Sequence, residues 1–120
     1  MRIKLVTGDT PQIPISITDP ATGLPIDLSS ATVALKVRVV GEDLKATVAC
    51  TLLTGRVRDD ETIDTAAPYN VAGVGGRCQA ECDATVFDAA GEYEAEVEVT
   101  IGSVITTPYR VHKISVREDF

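Results

Sequence analysis

Four glutamates, Glu92, Glu94, Glu96 and Glu98, recur at every second position late in the chain. Carboxylates in groups serve acid–base catalysis or cation binding, and their spacing decides which. On an extended strand, same-face neighbours sit about 7 Å apart in Cα position. That spacing describes a solvated charged face. Lys36, Arg38, Arg110 and Lys113 are suitable cations for its neighbouring strands, and exposed pairs of this kind contribute only ~0–1 kcal/mol each. A second acidic group, Asp59, Asp60, Glu61 and Asp64, has the oxygens that calcium favours. It lacks the placed glycine and terminal bidentate glutamate of an EF-hand and reads as a solvated loop, with calcium binding at 59–64 left open.

The remaining reactive residues point the same way. His112 is the sole imidazole and lies between Val111 and Lys113, which suits a structural histidine better than a general base. Gly73, Gly75 and Gly76 are not followed by the Lys-Ser/Thr of a phosphate loop, and read as flexibility. Cys50, Cys78 and Cys82 are odd in number, and the first residues lack the long apolar segment of a signal peptide. Reduced, at least partly buried thiols are therefore expected, made in the cytoplasm. A zinc site has neither the spacing nor the histidines. The sequence names no catalytic residue, no metal ligand and no cofactor, and is read as non-enzymatic.

The elements that carry these residues are strands. Tyr93, Ala95, Val97, Val99 and Ile101 alternate with the glutamates and with Thr100, a period of two that predicts an antiparallel strand with one face in a core. Residues 31–40 repeat the pattern: Val33, Leu35, Val37 and Val39 point one way, Thr32, Lys36 and Arg38 the other. Ile3 and Leu5 mark a short first strand. Ile13, Ile15 and Ile17 mark a second, which Pro14 confines to a sheet edge because proline cannot donate to a ladder. A turn over Asp19, Pro20, Ala21, Thr22 and Gly23 precedes a connector that tucks in Ile26 and Leu28. Residues 44–53, 56–58, 77–83 and 104–116 supply further strands. A bulge or break is expected near His112 and Lys113, and a helical turn over 84–90. The stretch 59–76 reads as one long irregular loop.

Composition sets the class. The 120 residues suffice for one core. Phe87, Phe120, Tyr69, Tyr93 and Tyr109 are the only aromatics, so the core must come from Val, Ile, Leu and Ala, which favours a thin all-β sandwich. The net charge of −7, with no basic stripe, disfavours nucleic acid and anionic membranes. No apolar run approaches the roughly 20 residues of a spanning helix.

The order of these cues resembles a known family. Gly8, Asp9 and Thr10 precede the Ile13–Ile15–Ile17 strand. A segment from Thr18 and Asp19 through Gly23, Pro25, Asp27, Leu28, Ala31 and Val33 follows. Gly91, Tyr93, Ala95, Glu96, Glu98, Val99 and Thr100 come much later, with a closing strand through Thr107 and Pro108. This pattern resembles the N-terminal-domain family of phage baseplate upper proteins. The resemblance implies a single domain over 1–120 with an immunoglobulin-like antiparallel β-sandwich. It also implies a structural or adaptor role in a tailed-phage virion, in the tail, baseplate or neck. Its partners would be other virion proteins, in multiple copies per particle. A capsid decoration protein on the head exterior is an alternative within that class. A small-molecule or carbohydrate-binding β-sandwich is an alternative outside it. Family members often continue into a helical linker and a host-binding region, whereas this sequence stops at Phe120.

Candidate contact residues come from the uncharged segment 65–76. Pro68, Tyr69, Val71 and Val74 place apolar groups on a glycine-rich loop. Tyrosine suits docking because its ring buries area while its hydroxyl keeps a hydrogen bond. Folding of Tyr69 back onto its own domain is the competing expectation.

Overall fold

The alternating glutamate segment forms the longest strand, β8 (Gly91–Ile101), in a computed structural model that describes residues 2–19, 21–106 and 111–118. The side chains of Arg2, Val111 and His112 lie outside that description, as do Pro20, Thr107, Pro108 and Arg110. The expectations placed on those residues are not addressed by it. The other strands are β1 (Arg2–Val6), β2 (Gln12–Ser16), β3 (Ala31–Val39), β4 (Leu44–Leu52), β5 (Arg56–Val57), β6 (Ile63–Asp64), β7 (Arg77–Glu81), β9 (Val104–Thr106) and β10 (Val111–Arg117). The described residues contain no helix. Residues 84–87 make turns, where the Asp83 carboxylate accepts from the Thr85 N–H and hydroxyl, instead of the expected helical turn.

The fold is all-β, one mixed sheet in the order β1-β10-β8-β3-β4-β7-β2, with β9 on β8 and a separate β5–β6 hairpin. Pro14 does lie in an end strand, β2. One pairing differs from the all-antiparallel expectation. β1 runs parallel to β10, with Ile3 opposite Ile114 and Leu5 opposite Val116. The turn at Gly8 and Asp9 then carries the chain from this end of the sheet to the other, where β2 pairs antiparallel with β7. Leaving one end and rejoining at the opposite one curls the sheet over a shared interior.

β4 makes the curl possible. Ala46 to Ala49 pair with β3, whereas Cys50 to Leu52 pair with β7. The register with β3 shifts between Val37 and Arg38, an irregularity of the kind that bends a strand. The β8–β10 ladder keeps one register from Val111 to Val116, so no shift falls at His112 and Lys113 themselves. Between the Thr106–Val99 and Val111–Glu96 pairs the chain advances five residues against three on β8, an irregularity just ahead of them.

The interior is contiguous. Ile13, Ile15 and Ile17 from the first part of the chain and Cys78, Ala80 and Cys82 from β7 meet Val33, Leu35, Val37, Tyr93, Ala95, Val97, Val99, Ile114 and Val116. Leu28 and Phe87 are fully buried connector residues. Phe87 meets the Tyr93 ring edge-on, at 5.3 Å between centroids and 80° between planes. The Tyr93 hydroxyl donates to the Ala89 carbonyl at 2.7 Å. The core is thus aliphatic, as the composition requires, around one aromatic pair.

Candidate functional site

The segment 59–76 begins as an ordered hairpin. Arg56 pairs with Asp64 and Val57 with Ile63. The turn closes with the Arg58 N–H on the Thr62 carbonyl at 2.8 Å. Asp60 accepts from the Thr62 hydroxyl at 2.6 Å and from its N–H at 3.1 Å, which holds its carboxyl below the ordinary 3.8. Asp64 lies 3.5 Å from Arg58 and 3.8 Å from Arg56, and accepts from the Ala66 N–H. Asp60 and Asp64 are thereby turned to local capping and pairing. Among the described residues, no group of three or more His, Cys, Asp or Glu is arranged to hold a metal.

The uncharged half of the segment packs on its own protein. The Tyr69 carbonyl accepts from the Gly55 N–H at 2.6 Å, and the Arg56 guanidinium lies 5.2 Å from the Tyr69 ring centroid. Gly73 donates to the Leu53 carbonyl and accepts from the Leu28 N–H, and Gly76 accepts from the Ile17 N–H. Gly73, Gly75 and Gly76 are buried. A methyl at Gly75 would run into the Gly55 carbonyl, and one at Gly76 into that of Ile17. The flexibility expected of these glycines is corrected: they are the places where the segment lies closest to its neighbours. The four candidate contact residues consequently divide. Tyr69 and Val74 are half-buried, while Pro68 and Val71 remain exposed, Val71 at 53%.

The glutamate face is a network of pairs, as its spacing implies. Lys36 meets Glu98 at 2.6 Å, and Arg38 meets Glu94 at 3.5 Å. The hydrogen bond to Glu98 raises the Lys36 pKa. Ser115 donates to the Glu92 carboxylate at 2.9 Å, and Lys113 lies opposite Glu94 in register. An open cleft of about 380 Å³ between Lys36, Arg38, Glu42, Asp43, Glu94 and Glu96 carries both signs of charge. Beside it, Lys45 reaches Asp88 and the Tyr93 hydroxyl. Burial works against its charge, but those hydrogen bonds outweigh it and raise its pKa.

The three cysteines are free thiols. Cys78 and Cys82 are buried and Cys50 half-buried. A hydrogen bond with Cys50, then burial, pushes the Cys78 thiol up, and burial pushes Cys82 up to about 11. Neither is poised as a nucleophile.

One exposed apolar group escaped the sequence reading. Ile101 continues the inward parity of β8 yet is 43% exposed, and across the turn Val104 and Ile105 are 64% and 63% exposed. The signal was present in the adjacent Val104 and Ile105. On a strand, two successive apolar residues cannot both face one core.

No family model matches the chain, and no curated protein matches it.

Proposed function

We propose that this protein is a non-enzymatic structural or adaptor module of a tailed-phage virion, built as an immunoglobulin-like sandwich and acting through protein–protein contacts. In this reading, β2, β7 and the second half of β4 form one layer, and β1, β10, β8, β3 and the first half of β4 form the other. β4 would be the strand that crosses between them. The observation that carries the reading is the corner at the start of β8. The Tyr93 hydroxyl bonds back to the carbonyl of Ala89, four residues upstream, as in the tyrosine corner of immunoglobulin-like domains. Tyr93 is also the centre of the late motif on which the family resemblance rests. Further support comes from the acidic surface, which suits a position outside the particle, away from packaged DNA.

In this role, exposed turns and strand edges supply the contacts, and the paired charges keep the broad strand face soluble. Pro68 and Val71 are the candidate contact residues that remain outward. The test is particle composition. Tailed-phage particles purified through a density gradient should contain the chain at a fixed ratio to the major structural proteins. Its absence from such particles would refute the assignment.

A further inference from the structure

The β8–β9 hairpin turns through Gly102 and Ser103, with Gly102 at φ +60°. Glycine at positive φ in the first position of a two-residue turn is the chemistry of a tight hairpin. In such a hairpin the residues flanking the turn, Ile101 and Val104, exchange hydrogen bonds with each other. The next residue, Ile105, therefore aims its N–H and C=O away from β8. Among the described residues, β9 pairs with β8 alone. Ile105 thus combines a backbone edge that pairs with none of the described residues with a side chain that is mostly in water.

Strand edges attract strands, and many proteins block them with lysine, proline or a bulge. Residues 99–106 contain none of the first two and carry no charge at all: Val99, Thr100, Ile101, Gly102, Ser103, Val104, Ile105 and Thr106. The net charge is −7, so two copies repel on average as they approach. At the hairpin they do not.

We propose that β9 is a self-association edge, on which a second copy of this chain adds its own β9 antiparallel about a two-fold axis. Ile105 lies on the axis opposite its counterpart and exchanges both backbone hydrogen bonds with it. Val104 of each copy faces Thr106 of the other, and the apolar side chains of the two hairpins cover one another. A symmetric contact of this kind is self-complementary, so one surface suffices. The patch is small, which makes the pairing weak in dilute solution and effective where many copies are held close together. The proposal does not depend on the virion reading: a monomer would end it and leave that reading standing.

Sedimentation over about 10 μM to about 1 mM covers the range expected of so small a contact. A concentration-dependent dimer is expected, strengthened by added salt because screening relieves the repulsion between acidic copies. Ile105→Lys and Val104→Lys should each weaken it at least about tenfold, since both alter exposed positions on the contact. Hydrogen exchange at the Ile105 amide in the unaltered protein should slow as concentration rises, a readout that does not rely on the variants. A monomer across the whole range would overturn the proposal. So would a dimer that both variants leave intact, one that salt dissolves, or an Ile105 amide whose exchange ignores concentration.

Discussion

Removing one oxygen from Tyr93 tests the packing at the start of β8. Tyr93 is 1% exposed, and its ring lies edge-on against the fully buried Phe87. Tyr93→Phe keeps the ring and this contact, and deletes the hydroxyl that donates to the Ala89 carbonyl at 2.7 Å. A hydrogen bond of this kind is worth about 0.5–1.5 kcal/mol net. Ala89 is exposed, so water can satisfy its carbonyl in the variant, which removes the extra cost of a stranded acceptor. The second contact of the hydroxyl, Lys45 at 3.4 Å, is long and adds little. The expected loss is therefore about 1 kcal/mol, or about 4 °C in melting temperature for a domain of this size. Tyr93→Ala removes the ring as well and should cost about 3–5 kcal/mol. Thermal and chemical denaturation of the three proteins measures both steps. A Tyr93→Phe protein that melts with the parent would show that the hydroxyl anchors nothing. A Tyr93→Ala protein that loses no more than Tyr93→Phe would refute the placement of the ring in the core.

Other expectations follow from the same contacts. Val97→Asp buries an unpaired carboxylate opposite Leu35 and should prevent stable folding, as judged by circular dichroism; native melting would show the β3–β8 register to be wrong. Gly75→Ala should cost about 2–3 kcal/mol, because the new methyl meets backbone that cannot move aside, and an unchanged denaturation midpoint would contradict the close approach to Gly55. Three thiols should react after denaturation without reductant, and Cys50 should react first in the native protein; a single reactive thiol would reveal a disulfide. Side-chain hydrogen bonds from Thr62 and Thr85 lower the carboxyls of Asp60 and Asp83, and one from Lys45 lowers that of Asp88, all from 3.8. Their stabilisation is complete above that value and is lost as pH falls through the lower folded values, so melting temperature should decline below about pH 4. Asp83→Asn should shrink that decline, and an unaltered profile would remove Asp83 from the account.

Much of the strand pattern was legible because β3 and β8 alternate without interruption, and period two leaves no second choice of face. Pro14 marked β2 as an end strand for a purely local reason, its missing donor. The parallel β1–β10 pairing was not legible. It joins residues more than a hundred positions apart, and nothing in Ile3 or Leu5 fixes the direction of a partner. The close approach at Gly73, Gly75 and Gly76 was not legible because glycine serves mobility and close approach equally well. The backbones that receive these glycines, at Ile17, Leu28, Leu53 and Gly55, separate the two. The outward Ile101 was missed because alternation gives a parity but not the point where the core ends.

The most direct test of the central claim is quantitative mass spectrometry of tailed-phage particles purified from the lysate in which this chain is made, with cryo-electron microscopy to locate it. The account expects the chain at a constant copy number, as a curled β-sheet density on the particle exterior in contact with other structural proteins. Particles that are complete and infectious without the chain in their inventory would contradict it.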